Sequence, residues 1–321
     1  MIGVVVPCYR VKARILEVLA AIGPECDLIF VVDDACPEGS GAYVQATVSD
    51  PRLRVIQHET NQGVGAATLT GYQAALEAGA TVVVKLDGDG QMDPRQIPQL
   101  VRPIEAGEAD YVKGNRFFDL DGLKAMPAVR LIGNSLLSFI TKISSGYWDL
   151  FDPTNGFTAI HAGVARQLPF DKISRGWFFE SDLLFRLGTI RAVVRDVPIP
   201  ARYGSEHSNL TVRSVLGEFL WKHFLNTGKR IFYSYFLRNF SIASVEIVLA
   251  TLFLAFGTVL GGLRWIESLR SGVTATSGTV MLAALPVLIG VQLLLAFLTY
   301  DMQNVPQVPL QRRIEPFDEA R

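Results

Sequence analysis

The sequence predicts an α/β domain with a mostly parallel sheet, followed by amphipathic helices and two transmembrane helices. Short apolar runs alternate with helical segments over the first 115 residues, and the uncharged sequence is concentrated near the C-terminus. Overall, 49% of the residues are hydrophobic and 19% are charged, against roughly 25% charged in typical soluble domains. The low proportion of charged residues therefore reflects the uncharged C-terminal segments rather than the whole chain.

The N-terminal region reads as alternating strands and helices. The predicted strands are residues 2–6, 28–32, 53–56, 81–86 and 110–112. The predicted helices are residues 14–22, 39–48, 64–78 and 95–105. Continuous apolar strands between helices indicate a parallel sheet covered on both faces. Ligands of such sheets bind beyond the carboxyl ends of the strands, so polar residues at those ends are the candidates for function.

Two apolar runs near the C-terminus, residues 242–263 and 280–300, are long enough to cross a membrane as helices, which takes roughly 20 residues. Glu246 is the only charged residue between positions 239 and 263, and none occurs from 271 to 300. A pair of buried helices in a soluble protein is the alternative. Globular helices usually show a polar face, which these runs lack, so the membrane interpretation is favoured.

The flanking sequence predicts a topology. No signal peptide precedes the first strand, so we expect the N-terminal domain in the cytosol, and two spans return the C-terminus there. More Lys and Arg flank the spans than lie in the loop between them, in agreement with the positive-inside rule. Aromatic and basic residues mix over 212–238, as expected of amphipathic interfacial helices. The predicted regions are a domain at 1–210, interfacial helices at 211–240, spans at 241–300 and a cytosolic tail at 301–321.

Charge and cysteine content exclude other classes. The net charge of −1 gives no basic surface for nucleic acid. The three cysteines have no CxxC spacing, which favours a reducing compartment without a disulfide framework or zinc site.

The strongest short motif is Asp87-Gly88-Asp89-Gly90-Gln91, which follows an apolar strand. Two carboxylates at i and i+2 point to one side of an extended chain, and such oxygen ligands suit Mg²⁺ or Mn²⁺ shared with phosphates. An EF-hand is excluded, because Met92 replaces its glycine and Pro98 its final glutamate. A polar turn without a metal remains the alternative.

Other strand ends carry polar or aromatic residues. Asp33 and Asp34 follow the second strand and can accept hydrogen bonds from a base and a ribose; turn or helix-cap residues are the alternative. Tyr9, after the first strand, can stack on a base or simply pack on the surface. The Gly63-Val64-Gly65 segment lacks the third small residue of a dinucleotide fingerprint, since Thr68 stands there. No ATPase-type phosphate loop is present.

Taken in order, these motifs resemble those of the family 2 glycosyltransferases with the GT-A fold. The residues that carry the resemblance are Val4–Tyr9, Val31–Asp34, Asn61–Gly65 and Asp87–Gln91 with Pro94. The two C-terminal spans narrow it to polyprenyl-phosphate glycosyltransferases, similar to dolichyl-phosphate mannose synthase and the bactoprenol glucosyltransferases. The resemblance is strong over residues 1–115, loose over 116–205, and limited to architecture in the spans.

The resemblance implies roles for individual residues. Pro7, Tyr9, Asp33, Asp34 and Asp87 would bind the nucleotide, and Asp87, Asp89 and Gln91 the divalent ion with the diphosphate. Arg116 would face a phosphate, while Arg202, Ser208 and Arg175 would bind the acceptor phosphate. Asp152 is the first candidate for a base or an acceptor-orienting carboxylate, with Glu180 and Asp182 behind it. Ion pairing or helix capping is the alternative for these acidic residues.

The expected reaction is a metal-dependent, inverting transfer of a hexose from a UDP- or GDP-sugar to undecaprenyl or dolichyl phosphate. A transferase with a sugar-hydroxyl acceptor is the first alternative, although the Gln-x-x-Arg-Trp type motif of processive synthases is absent. A non-catalytic membrane scaffold is the second. Related proteins also suggest a homo-oligomer assembled through the transmembrane helices.

Overall fold

The computed structural model describes residues 1–118, 128–153, 155–200 and 212–314, with backbone alone at 128–131 and 212–216. The chain divides into two compact units. The first comprises Met1–Thr227 together with Pro306–Arg321, and the second comprises Gly228–Val305. Arg202 and Ser208, two of the predicted acceptor-phosphate residues, lie outside the described residues.

A seven-stranded sheet in the described residues forms the centre of the first unit, in the order β3-β2-β1-β4-β6-β5-β7. The strands are β1 (Ile2–Cys8), β2 (Leu28–Asp33), β3 (Leu53–Gln57), β4 (Val82–Lys85), β5 (Tyr111–Asn115), β6 (Thr158–His161) and β7 (Val194–Pro198). All neighbouring strands pair in parallel except β6, which runs antiparallel to β4 and to β5. The predicted mostly parallel α/β sheet is confirmed.

Helices cover the sheet. Those of the first part are α1 (Ile15–Ala20), α2 (Ser40–Thr47), α3 (Val64–Glu77), α4 (Ile97–Glu105), α5 (Ala128–Ser145), α6 (Ala162–Ala165), α7 (Phe179–Ile190) and α8 (Val212–Phe232). One buried core joins apolar side chains of α1, α2 and α4 to those of the buried strands, as continuous apolar strands require. Helix α3 lies directly on β1, because Gly71 lets its backbone approach the side chain of Val5.

Helix α8 attaches to the first unit through polar and aromatic side chains. His223 Nδ1 lies 2.8 Å from the Ser144 hydroxyl oxygen, and its ring stands edge-on to Phe178. Burial lowers the pKa of His223 to about 4, so the imidazole is neutral near pH 7. Trp221 and Phe224, on the same helix, are exposed. Their position at an interface with lipid stays a prediction.

The second unit contains two long apolar helices, α9 (Ile242–Ser271) and α10 (Ser277–Gln303), both long and apolar enough to cross a membrane. They pack closely, since a Cβ at Gly257 would lie 2.6 Å from Val287 Cγ2 and one at Gly290 would lie 2.8 Å from Leu254 Cγ. Small residues at such contacts let helix backbones approach each other. The polar ends of this unit are joined by a buried bidentate ion pair between Arg230 and Asp301, at 2.7 and 3.0 Å.

The chain returns to the first unit after α10. A 3₁₀ turn at Leu310–Arg312 lies against the buried carboxylate of Asp110, which accepts hydrogen bonds from the backbone N–H groups of Leu310 and Gln311, each at 2.7 Å. The Gln311 amide nitrogen also donates to the carbonyl oxygens of Ile104 and Ala109. The segment that follows the second apolar helix is therefore hydrogen-bonded into the α/β unit and belongs to its fold.

We predict that Gly71→Ala destabilises the first unit by about 1–3 kcal/mol, because the added Cβ would lie 2.2 Å from Val5 Cγ1 and overpack the helix against the sheet. Thermal unfolding of the detergent-solubilised protein measures the change. The matched control is Gly133→Ala on α5, where no described atom lies within 4 Å of the added carbon. Equal melting temperatures for the two variants would contradict this packing.

Candidate active site

The sheet topology decides which residues meet. Strands β1, β2 and β4 end at one edge, and β5 and β7 end there too, since β6 is antiparallel to both β4 and β5. The segment that leads into β6 arrives at the same edge for the same reason. Asp34, Asp87, Arg116 and Asn155 therefore share one end of the sheet, although they are far apart in sequence.

The carboxylates of Asp33 and Asp34 are buried and hold loops. Asp33 accepts hydrogen bonds from the backbone N–H groups of Cys36 at 2.6 Å and Gly41 at 2.5 Å, which fixes the start of α2. Asp34 accepts from the N–H groups of Gln62 at 2.9 Å and Gly63 at 2.7 Å, and lies 2.7 Å from His58 Nδ1. These contacts match the turn and helix-cap alternative; direct contact with a nucleoside stays a prediction.

The loop that Asp34 holds packs against another predicted site segment. Gly63 has a φ of +97°, and a Cβ there would lie 2.7 Å from the carbonyl oxygen of Arg175. A Cβ at Gly65 would lie 2.5 Å from the carbonyl oxygen of Ser174. The two glycines thus allow close approach of a neighbouring backbone. This contact gives the Gly63-Val64-Gly65 segment a packing role that a dinucleotide fingerprint does not require.

Pro7 and Tyr9 stand at the end of β1. Pro7 is buried, whereas the Tyr9 ring is 42% exposed, with the Arg10 guanidinium carbon 5.4 Å from its centroid. The exposure of the Tyr9 ring is compatible with stacking on a base, and contact of Pro7 or Tyr9 with a nucleotide stays a prediction.

Asp87, Asp89 and Gln91 form a turn open to solvent, with all three side chains partly exposed. The Gln91 N–H donates to Asp89 Oδ1 at 2.9 Å, and Gly90 adopts a φ of +77° that favours glycine. No group of three or more His, Cys, Asp or Glu side chains suited to a metal occurs within the described ranges. Two accessible carboxylates still fit a hard divalent ion when further oxygens come from a diphosphate.

Lys85 is a buried charge that the sequence analysis did not select. Its Nζ lies 2.9 Å from Asp87 Oδ1 and 3.1 Å from Glu180 Oε1. Burial alone lowers the pKa of Lys85, but the two carboxylates outweigh it, and the pKa lies above its ordinary value. The sequence signal that could have identified it is a lysine within the otherwise apolar run Val82–Leu86, all of whose residues are buried.

Arg116 and Asp152 form a bidentate pair. The Arg116 Nε and Nη2 atoms donate to Asp152 at 2.8 and 3.0 Å, and its backbone N–H donates at 3.3 Å. Asp152 is only 1% exposed, while Arg116 is partly exposed. The pair thus joins a buried carboxylate to a partly exposed guanidinium. The assignment of Asp152 as a base stays a prediction, and ion pairing is what the geometry displays.

A second buried lysine, Lys113, supports the neighbouring segment. Its Nζ donates to the carbonyl oxygen of Asn155 at 2.6 Å, and the Asn155 amide nitrogen donates to the Gly114 carbonyl oxygen at 2.6 Å. Burial lowers the pKa of Lys113 to about 8, although Glu180, Asp152 and other carboxylates oppose this. This network holds the chain that precedes β6 across the ends of two strands.

Glu180 and Asp182 begin α7 but face different partners. Glu180 is 13% exposed on its side chain and contacts Lys85. Asp182 accepts from the Ser174 N–H at 2.9 Å and the Asn226 amide at 3.1 Å, and it pairs with Arg186 at 3.1 Å. The structure brings Glu180 into the site, whereas Asp182 holds the loop that carries Arg175. Ion pairing, one of the alternatives, describes Asp182, together with its hydrogen bonds to Ser174 and Asn226.

Comparison with known proteins identifies the family. The profile named Glycosyl transferase family 2 matches residues 3–168, just over half of the chain. The chain belongs to glycosyl transferase family 2. It is a glycosyltransferase, and the predicted family resemblance is confirmed.

Individual relatives agree with this assignment. The chain is 33% identical over 178 residues to the undecaprenyl-phosphate mannosyltransferase of Micrococcus luteus, covering 55% of this chain and 72% of that protein. It is 28% identical over 217 residues to the UDP-N-acetylglucosamine–dolichyl-phosphate N-acetylglucosaminyltransferase of Methanococcus voltae, covering 63% of this chain and 86% of that protein.

A solved structure shares the fold. Glucosyl-3-phosphoglycerate synthase from Mycobacterium tuberculosis, in complex with Mn²⁺, UDP and glucosyl-3-phosphoglycerate, matches with a TM-score of 0.53 and 21% identity over 72% of this chain and 79% of that one. The expected GT-A type of α/β fold is confirmed for this glycosyltransferase.

We predict that Asp34→Asn in this glycosyltransferase lowers stability by about 1–3 kcal/mol, because the amide cannot accept from Gln62, Gly63 and His58 together and a buried donor loses its partner. The melting temperature measures the loss. Glu59→Gln, an exposed acidic neighbour, is the control. An unchanged melting temperature with weakened nucleotide binding would instead assign the Asp34 carboxylate to the ligand.

Proposed function

We propose that this glycosyltransferase moves a hexose from a UDP- or GDP-sugar to a membrane polyprenyl phosphate, undecaprenyl or dolichyl phosphate. The observation that carries the proposal is the meeting of two accessible carboxylates, Asp87 and Asp89, with the guanidinium of Arg116 at one sheet edge. Relatives named for undecaprenyl and dolichyl phosphate support the acceptor class. The two long apolar helices are suited to anchor the enzyme in the membrane, where such an acceptor lies.

On the donor side, Asp87 and Asp89 are the residues to hold Mg²⁺ or Mn²⁺ against the diphosphate. When bound, the divalent ion neutralises the charge that develops on the departing nucleoside diphosphate. Gln91 fixes the orientation of Asp89 through its backbone N–H. Tyr9 offers its exposed ring to the base, and the loops held by Asp33 and Asp34 shape the nucleoside pocket.

On the acceptor side, a lipid phosphate is largely ionised near neutral pH and needs positioning more than deprotonation. Its oxygen attacks the anomeric carbon, the bond to the diphosphate oxygen breaks, and the electron pair leaves with the nucleoside diphosphate. We assign Arg116, whose Nε and Nη2 atoms are held by Asp152, to the acceptor phosphate as a positioned positive charge, since hydrogen bonds from a cation to phosphate are strong. Attack from the face opposite the leaving group inverts the anomeric centre.

Further residues complete the proposed acceptor site. The loop that contains Arg175 is held by Asp182, and Arg202 and Ser208 follow β7, whose end lies at the same sheet edge. We assign all three to the acceptor phosphate. Glu180, a further candidate for the acceptor-orienting carboxylate, is linked to the donor-side turn because it shares Lys85 with Asp87.

The membrane part holds the domain at its substrate. Extracting a polyprenyl chain from a bilayer costs about 0.8 kcal/mol for each CH₂ group, so the enzyme must work at the headgroup level. Trp221 and Phe224, exposed on α8, suit an interfacial position. We place α9 and α10 across the bilayer, where their exposed apolar side chains contact lipid or a second copy of the chain.

Both ends of the two-helix hairpin lie on one side of the membrane in this proposal. Leu310 and Gln311, after the second helix, donate to Asp110 inside the α/β unit that precedes the first. Arg230, before the first helix, pairs with Asp301 at the end of the second. The positive residues around the spans support a cytosolic assignment of that side.

We predict that the purified full-length enzyme transfers labelled sugar to undecaprenyl phosphate in the presence of Mg²⁺ or Mn²⁺. Asp89→Ala should reduce turnover about 100-fold or more, because charge stabilisation by the ion contributes several kcal/mol. Thin-layer separation of the labelled lipid measures the product, and a screen of UDP- and GDP-sugars identifies the donor.

Asp171→Ala, an exposed acidic residue outside the sheet edge, is the control and should keep full turnover. Product on a sugar hydroxyl but none on the lipid phosphate would support the alternative transferase. Wild-type turnover in Asp89→Ala would refute the metal assignment.

We predict that a membrane-impermeant maleimide labels Val273→Cys, in the loop between α9 and α10, from outside intact cells. Gln307→Cys, on the segment that packs with the α/β unit, should be labelled only after permeabilisation. Both positions are exposed; Cys8 and Cys26 of the native chain are buried, and the partly exposed Cys36 is replaced by Ser in both variants to remove background labelling. Labelling of both engineered positions from outside would overturn the hairpin topology.

A further inference from the structure

Lys85 connects the two halves of the site. It ends β4, is 1% exposed, and follows three buried valines. Its ammonium group contacts Asp87, in the turn formed by residues 87–91, and Glu180 of α7. These two residues are 93 positions apart in the sequence. The first carboxylate belongs to the proposed donor side and the second to the proposed acceptor side.

A buried ammonium is costly unless it is paired and hydrogen-bonded, so this placement requires both carboxylates. Lys85 engages Oδ1 of Asp87 and Oε1 of Glu180. The second oxygen of each carboxylate has no hydrogen-bond or ion-pair partner among the residues that the structure describes. Each group is thus oriented by one oxygen and offers the other.

The backbone around Gly156 closes the third side of this cluster. A Cβ at Gly156 would lie 2.4 Å from Lys85 Nζ and 2.6 Å from Asp87 Oδ2. Only a glycine lets the chain before β6 pass so close to the ion pair. Water is thereby kept from the ammonium on this side, while the side chains of Asp87 and Glu180 stay 29% and 13% exposed.

We propose that Lys85 is a positioning residue that sets the donor-side carboxylate of Asp87 and the acceptor-side carboxylate of Glu180 in one fixed arrangement. One cation within hydrogen-bond distance of both carboxylates offsets their mutual repulsion and restricts their rotation. A neutral residue leaves two like charges facing each other, which displaces both. The inference rests on the proposed function only for the identity of the two substrates.

The effect separates turnover from binding. Without the ammonium, the site becomes more negative, so a divalent ion with its nucleotide is not expelled. The reacting groups, however, lose their relative placement, and a displacement of about 1 Å can reduce a rate about 100-fold. A residue that only maintained the fold would change nucleotide affinity, turnover and stability together.

The test compares Lys85→Met with Lys172→Met, which removes an exposed lysine elsewhere on the same unit. We expect kcat of the full-length enzyme to fall about 100-fold in Lys85→Met. Titration calorimetry with Mn²⁺ and UDP or GDP should give a Kd no more than about threefold weaker than that of the wild type, because charge balance favours the cation. Lys172→Met should match the wild type in both measurements.

A second variant avoids an unpaired buried charge. Gly156→Ala keeps Lys85 and both carboxylates but displaces them through its added Cβ, and Gly133→Ala is its control. A reduced kcat is expected here too, because the added carbon displaces the same three groups. Wild-type kcat in a folded Lys85→Met or Gly156→Ala protein would overturn the proposal, as would a parallel loss of nucleotide affinity and turnover in Lys85→Met. Absence of a lipid product with the wild-type enzyme would refute the proposed function. The nucleotide affinities of the wild type and the variants could still be compared in that case, so the two failures are distinguishable.

Discussion

The antiparallel strand β6, inserted between β4 and β5, decides the composition of the site. Thr158, its first residue, pairs with Lys85 on one side and with Lys113 on the other. Because β6 runs opposite to its neighbours, the chain that enters it must lie across their carboxyl ends. Asp152, Asn155 and Gly156 are thereby brought to the sheet edge that carries the Asp87–Gln91 turn. A parallel strand in this position would have carried them to the far edge of the sheet.

The two lysines beside Thr158 show how the site treats buried charge. Lys85 has two carboxylates within 3.1 Å, and its pKa is raised. Lys113 has a backbone carbonyl as its direct partner, and burial lowers its pKa to about 8. The two lysines are similarly buried but have different partners, and the partners determine whether the lysine pKa is raised or lowered. Of these two lysines, Lys85 is the one whose ammonium lies within hydrogen-bond distance of carboxylates.

The sequence was most informative where local patterns coincide with the fold. Apolar runs predicted the first five strands to within a few residues, and the strand ends located Asp87 and Asp89. Sequence periodicity could not reveal that the carboxylates of Asp33 and Asp34 accept hydrogen bonds from backbone N–H groups. Those bonds depend on the conformation of the loops at 36–41 and 58–63. Strand β6 has only four residues, and its direction is set by pairing rather than by any local signal. The partners of Lys85 were hidden for the same reason, because Glu180 reaches it from a distant helix.

The segment after the last apolar helix extends this argument to the membrane. Asp110 is fully buried, and it accepts hydrogen bonds from the N–H groups of Val193, Leu310 and Gln311. A buried carboxylate with only the first of these donors would be left under-satisfied, so the α/β unit is complete only when the chain has returned from the hairpin. The chain therefore leaves and re-enters one folded unit. Under the proposal that the two apolar helices cross a bilayer, this closure requires an even number of crossings, whatever the flanking charges contribute.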